Sequence, residues 1–215
     1  MKKFDAIIYD LDDTIFPTGT ITKEVVKPVL DAIVDYNDGT LTADILQKAL
    51  ADCYKHSLRD VAMLYGFNRK MHEEAVKAFS ALKIDYQLQT YPDYPCLKQI
   101  PGLRFLVTSG YTGFQQLKIR NLGIDKDFQE ILIHDNEKSS FLGKVELFLQ
   151  IQEKYKLKAG NVMVIGDNPV SEIAAGNQLG MVTVQVLRLG VIKDETAKYH
   201  VADFNKLLLN HFTNS

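Results

Sequence analysis

The hydrophobic pattern of the chain changes period twice. Phe4 to Tyr9 read Phe-Asp-Ala-Ile-Ile-Tyr, a β-branched and aromatic run that fits a buried strand and ends on the acidic stretch Asp10-Leu11-Asp12-Asp13-Thr14. From Thr22 to about Leu82 apolar residues recur at helical spacing instead. Val25, Val26, Val29, Leu30, Ile33 and Val34 mark a first helix, and Ala43 to Tyr54 a second. Leu58 to Tyr65 form a third that stops at Gly66, and a fourth starts after Asn68 as its N-cap. This is the pattern of a small helical bundle, left by the proline-punctuated link Tyr91-Pro92-Asp93-Tyr94-Pro95.

Beyond Pro101-Gly102 strand and helix alternate. Leu103 to Val107 reads as a strand running into Thr108-Ser109-Gly110, followed by a helix from about Tyr111 to Asn121. Strands at Glu130 to Ile133, Asn161 to Ile165 and Met181 to Leu187 are separated by helices at Glu146 to Tyr155 and Ser171 to Gln178. A tail near Phe204 to Phe212 is helical. Alternation of this kind predicts parallel pairing and a sheet covered on both faces. The expected fold is α/β: a doubly wound parallel sheet from residues 1–15 and 90–215, interrupted by a helical-bundle cap at residues 16–89.

Composition narrows the function only by exclusion. The 215 residues are 46% hydrophobic and 24% charged with a formal net charge of −2, so a nucleic-acid polymer is not an expected partner. Cys53 and Cys96 match no metal spacing and form no disulfide framework, which fits reduced thiols. Met1-Lys2-Lys3-Phe4-Asp5 is too short and too acidic for a signal peptide, and no later segment approaches a membrane span. A cytoplasmic protein without membrane contact is expected.

The polar signatures lie where three strands end: Asp10-x-Asp12, Thr108-Ser109-Gly110 and Gly166-Asp167. In an open α/β sheet, sites form outside the carboxyl ends of the strands, so the three should converge. Each like-charged pair about 4 Å apart costs roughly 4 kcal/mol at an effective dielectric near 20, so a cation is required. Carboxylate oxygens favour magnesium over softer metals. Thr108 and Ser109, on a turn that leads into a helix, offer hydroxyls and amides to an anion. A magnesium site beside an anion cradle suggests a phosphate ligand. Strand alternation would place Asp10 and Asp12 on one side and Asp13 on the other.

These motifs resemble those of the haloacid dehalogenase superfamily along nearly the whole chain. Asp10-Leu11-Asp12-Asp13-Thr14 matches its first motif, Thr108 its second, and Gly166-Asp167 followed by Glu172 its fourth; a helical insertion after the first motif is where many members carry a cap. For the third-motif lysine, Lys144 is favoured and Lys138 competes. The resemblance implies a Rossmann-like core and a magnesium-dependent phosphatase for a small phosphorylated metabolite, working through an aspartyl-phosphate. Asp10 would be the nucleophile and Asp12 the acid and base. Asp10, Asp167, Glu172 and the backbone carbonyl of Asp12 would hold magnesium, and Thr108, Ser109 and Lys144 would bind phosphate. Asp13 would be a hydrogen-bonding residue and Thr14 a support of the loop.

Asp-Asp-Thr-Ile-Phe-Pro and Gly-Asp-Asn-Pro-x-Ser-Glu are similar to the branch with pyrimidine 5′-nucleotidases and related sugar-phosphate phosphatases. A phosphomutase on the same scaffold is the enzymatic alternative. A regulatory phospho-acceptor domain is the alternative of another class, although such a domain carries no helical insertion after its first strand. His134 ends a strand near the expected crevice, and Phe16 follows the first motif where it could pack the hinge or touch substrate.

Overall fold

The computed structural model describes residues 4–54, 56–135 and 142–211, without the side chains of residues 209–211. Its sheet has six parallel strands: β1 (Ala6–Tyr9), β2 (Leu103–Ser109), β3 (Glu130–His134), β4 (Val162–Gly166), β5 (Val182–Val186) and β6 (Tyr199–Val201). They lie in the order β3-β2-β1-β4-β5-β6. β1 is therefore central, with Tyr9 in register with Leu106 on one side and Ile165 on the other. The order reverses between β1 and its neighbours, which is where an open sheet of this kind leaves a crevice at its carboxyl edge.

Between the strands run the helices. α1 (Lys23–Asp35), α2 (Ala43–Asp52), α3 (Leu58–Tyr65) and α4 (Arg69–Ser80) form the insertion after β1, and the short α5 (Tyr94–Leu97) leads back to the sheet. α6 (Thr112–Leu122), α7 (Lys144–Tyr155), α8 (Ala174–Gln178) and α9 (Phe204–His211) flank the strands. The doubly wound parallel sheet expected from the sequence is thus present.

Why both faces are covered can be read from β1. Ile7 and Tyr9 point into one apolar cluster with Leu106, Ile165, Ile119 of α6 and Phe204 of α9. Ala6 and Ile8 point into another with Phe105, Val164 and Phe148 of α7. A strand buried on both faces has no polar alternation, and all four residues of β1 are buried.

The inserted helices bury a cluster of their own, with Val29, Ile33, Ala49, Val61, Met71 and Ala75 at its centre. Local signals set their bounds: the Asn68 side chain accepts the Met71 N–H at 2.8 Å, and Gly66 ends α3 at φ +68°. The bundle rests on the start of α6, where the Phe79 ring stacks on Tyr111, the residue before the helix, at 4.3 Å and meets Phe114 edge-on at 5.4 Å. The two chain crossings between bundle and sheet are tied where Tyr91 N–H donates to Ile15 O at 2.9 Å.

Some elements depart from expectation. β6 is a three-residue edge strand, too short for a periodic signal. α5 falls within the proline-rich link, where Pro95 is tolerated in the first turn. The helix expected from Ser171 opens instead as a π-helical turn over Pro169–Ile173.

Candidate active site

β1 ends at Tyr9, and the chain turns immediately. Asp10 N–H still donates to Ile165 O at 2.9 Å, but the Leu11 carbonyl then accepts the N–H groups of Ile15 and Phe16, both at 2.9 Å. Asp13 sits on this turn at φ +50°, in the left-handed region. Strand alternation does not survive such a turn, so Asp10, Asp12 and Asp13 all line one cleft. The expectation that Asp13 points away is corrected on this ground. Its hydrogen-bonding role does appear: the carboxylate accepts the Thr18 N–H at 3.0 Å and the Thr18 hydroxyl at 2.6 Å. Thr14 Oγ1 donates to Asp167 Oδ1 at 3.1 Å and so links the first strand end to the fourth.

The cleft encloses about 220 Å³, and Thr108, Ser109, Lys144, Asp167 and Glu172 also line it. The seven residues given a catalytic, metal or phosphate role from the sequence, Asp10, Asp12, Thr108, Ser109, Lys144, Asp167 and Glu172, therefore meet at the carboxyl edge of the sheet. Lys138 lies outside the described residues. His134 lines a neighbouring cavity instead, and Phe16 is fully buried in the core beneath the motif loop.

Charge governs this site. Asp10, Asp167 and Glu172 each offer a carboxylate oxygen, and these oxygens lie within 4.8 Å of one another. Lys144, the first residue of α7, donates to Asp10 Oδ1 at 2.6 Å and to Glu172 Oε2 at 2.8 Å. Burial, reinforced by Glu172, Asp167 and Asp12, holds the Asp10 carboxyl well above its ordinary range against the opposing pull of Lys144. Burial alone would lower the pKa of Lys144, but Asp10 and Glu172 raise it instead. Burial and then the Glu172 charge push Asp167 up to about 7. Three carboxyl groups with one ammonium leave an excess of negative charge among hard oxygen donors, which fits a magnesium ion.

Glu172 reaches the cluster because of two local features. The π-helical turn carries it inward, where Oε1 accepts the Asn168 N–H at 2.7 Å. Gly166 leaves its own side-chain space to the Glu172 carboxyl and Cγ. A longer arm than aspartate therefore has room beside β4.

Three further polar residues at the site were not singled out from the sequence. Gln115 Nε2 donates to Asp12 Oδ2 at 2.8 Å, Thr108 Oγ1 at 2.6 Å and Ser109 O at 3.0 Å. Lys118 Nζ donates to Asp12 Oδ1 at 2.6 Å and Oδ2 at 2.8 Å. Both lie on the buried face of α6 with Phe114 and Ile119, a polar pair among apolar neighbours. Arg188, just past β5, donates from Nη2 to Thr14 O at 2.8 Å and from Nη1 to Asp93 Oδ2 at 2.9 Å. It carries no sequence signal beyond its charge.

A larger cavity of about 770 Å³ opens beside α1, lined by Thr18, Gly19, Ile21, Lys23, Val26 and Tyr54 among others, with Phe114 of α6 at its base. Among the described residues no helix is long and apolar enough to cross a membrane.

Comparison with known proteins agrees with this architecture. The family model of haloacid dehalogenase-like hydrolases matches residues 4–180. A glyceraldehyde 3-phosphate phosphatase of Methanopyrus kandleri is 28% identical over 207 residues, covering 85% of this chain and 84% of the relative. A protein of the same name from Methanocaldococcus jannaschii is 26% identical over 218 residues, covering 94% and 92%. Among solved structures, a HAD phosphatase from Thermococcus onnurineus superposes with a TM-score of 0.66 at 19% identity, covering 96% of this chain and 97% of that one. A magnesium-bound HAD-hydrolase from Bacillus subtilis gives 0.61 at 15% identity, covering 97% and 99%. These findings bear out the phosphoric monoester hydrolase expected from the sequence. On the match of the family model over residues 4–180, the chain belongs to the haloacid dehalogenase-like hydrolases.

Proposed function

We propose that this hydrolase is a magnesium-dependent phosphatase that cleaves a small phosphorylated metabolite through an aspartyl-phosphate on Asp10. The observation that carries the reading is the convergence of Asp10, Asp167 and Glu172 oxygens within 4.8 Å beside Lys144 and Thr108. Asp10, Asp167 and Glu172 would hold the ion, with the Asp12 carbonyl in support. When bound, magnesium neutralises these acids and polarises a phosphoryl oxygen.

The chain's own residues would do the rest. Asp10 attacks phosphorus and forms the phosphoryl-enzyme, dividing one hard displacement into two. Asp12 gives a proton to the departing alkoxide and takes one from the hydrolytic water, a contribution of typically 10²–10⁴-fold. Thr108, Ser109 and Lys144 hold the phosphoryl oxygens as charge moves between them. Residues 16–89 would act as a cap on a core of residues 1–15 and 90–215, excluding water from the cleft and choosing the leaving group. That inserted cap argues against a regulatory phospho-acceptor domain.

For the substrate, the two phosphatase relatives support a triose phosphate, and a cleft of about 220 Å³ suits a phosphate on a short carbon chain. A nucleoside monophosphate is the second reading, favoured by the cavity of about 770 Å³ beside α1, which has room for a base and sugar.

The test is phosphate release from p-nitrophenyl phosphate, glyceraldehyde 3-phosphate and nucleoside monophosphates with magnesium. Turnover of one class, lost in Asp10→Asn and with chelator, supports the reading. Turnover by Asp10→Asn equal to the parent would sink it, and return of the phosphoryl group to another hydroxyl of the substrate would assign a mutase.

A further inference from the structure

We infer that Lys118 and Gln115 are positioning residues that aim the Asp12 carboxylate at the hydrolytic water in the second half of the reaction. The inference rests on the phosphatase reading above and adds to it two residues of α6.

The amide orientation of Gln115 is fixed by chemistry. One end of it meets Asp12 Oδ2 at 2.8 Å and Ser109 O at 3.0 Å, and neither a carboxylate nor a carbonyl oxygen can donate. The nitrogen must therefore face them. The Thr108 hydroxyl, 2.6 Å from the same nitrogen, can then only accept from it, sharing one of the two amide hydrogens with a second acceptor, which leaves the Thr108 hydrogen free for another acceptor in the cleft. One amide thus orients both the acid–base residue and a phosphate-binding hydroxyl.

Lys118 lies one helical turn further on and contacts both Asp12 oxygens, at 2.6 and 2.8 Å. Its side chain is only 5% exposed, whereas that of Asp12 is 26% exposed. The ammonium lies 5.9 Å from the centre of the Phe16 ring and 5.4 Å from that of Phe114. A cation walled in this way has few positions open to it, so the carboxylate it grips is held as well. Surface ion pairs lack such a wall.

The step is the hydrolysis of the phosphoryl-enzyme. The water oxygen bonds to phosphorus as the bond between phosphorus and the Asp10 oxygen breaks. The bonding pair returns to the Asp10 carboxylate, inorganic phosphate forms, and the proton of the water passes to Asp12. A carboxylate free to swing meets that water less often, because catalytic groups act only when held near their reacting geometry.

p-Nitrophenyl phosphate isolates this step, since p-nitrophenolate leaves without a proton and the first half does not need Asp12. In Lys118→Met, rapid mixing is expected to show a burst approaching one p-nitrophenolate per site. Steady-state kcat and KM should then fall together, roughly tenfold to a hundredfold, with kcat/KM little changed. Lys118→Arg should restore part of kcat. A proportional fall in kcat and kcat/KM without a burst would mean that Lys118 only supports the fold, and would overturn the inference while the phosphatase reading stands. If Lys118→Met does not fold by circular dichroism, Lys118→Gln carries the same burst measurement and the same two outcomes. A parent protein that releases no phosphate from any ester would instead overturn the phosphatase reading, and this inference with it.

Discussion

Gly166 and Glu172 compete for one space. A Cβ built on Gly166 would overlap the Oε1, Cγ and Cδ atoms of Glu172, whose other oxygen lies 2.8 Å from Lys144. Gly166→Ala must therefore push Glu172 out of the carboxylate cluster or strain β4. Overpacking of this sort costs about 1–3 kcal/mol. The variant is expected to melt lower than the parent and to need more magnesium for half-maximal activity. A magnesium titration followed by a thermal melt checks both, and unchanged values in both would show that Glu172 has another place to go.

Asp167 makes the metal-free protein sensitive to pH. Its folded pKa is raised to about 7 by burial and Glu172, above the ordinary aspartate value of 3.8. A carboxyl raised in the folded state contributes stability that is fully present below the unfolded pKa and is lost as pH rises through the folded one. The Asp167 contribution should therefore decline between about pH 4 and pH 7. Magnesium must displace the Asp167 proton below pH 7, and the raised Asp10 carboxyl adds to the competition, so its apparent affinity should rise with pH across this range. Calorimetric titration across pH 5.5 to 8.5 reads the slope, and Asp167→Asn should make it shallower.

Asp10, Thr108 and Asp167 were legible in the sequence, and the reasons are physical. β1, β2 and β4 are apolar runs that stop abruptly at Asp10, Thr108 and Gly166-Asp167, and in a parallel sheet such stops fall on one edge. Lys144 was legible only through the resemblance to the family's third motif, a lysine that leads into a helix. Asp13 was misread because the alternation of a strand was carried past Tyr9 into a turn. Gln115 and Lys118 escaped notice because a polar residue on a helix reads as solvent-facing until the neighbour that buries it is known. β6 was missed since Tyr199–Val201 is too short to show a period, and Tyr199 itself is exposed.

Arg188 holds the first motif from behind. It is buried between the Tyr91 ring at 4.0 Å and the Phe204 ring at 5.0 Å, and bonds both Thr14 O and Asp93 Oδ2. Asp93 also accepts the Phe204 N–H at 2.6 Å, so the cluster joins the motif loop to α9. Arg188→Met leaves the Asp93 carboxylate buried without its cation, a loss of about 3–5 kcal/mol for a broken buried pair. Arg188→Lys keeps the charge but not the fork, and should fall between parent and Met variant. Denaturant unfolding ranks the three; a Lys variant as weak as the Met variant would mean that geometry alone matters here.

The contact of the inserted helices with the sheet can be weakened without touching the cleft. Phe79 of α4 stacks on Tyr111, the residue that precedes α6, and meets Phe114 of α6 edge-on; the same helix carries Gln115 and Lys118. Each aromatic pair contributes about 0.5–1.5 kcal/mol beyond area burial. Phe79→Ala removes both pairs and should loosen the bundle where it meets α6. If residues 16–89 act as a cap, closure over a bound substrate becomes less favourable, so KM is expected to rise several-fold. The effect on kcat should be smaller, because no side chain lining the cleft has changed. Steady-state kinetics on the best substrate of the panel, beside a thermal melt, separates this from simple destabilisation. A lower melting temperature with both constants unchanged would show that the bundle does not move in the catalytic cycle.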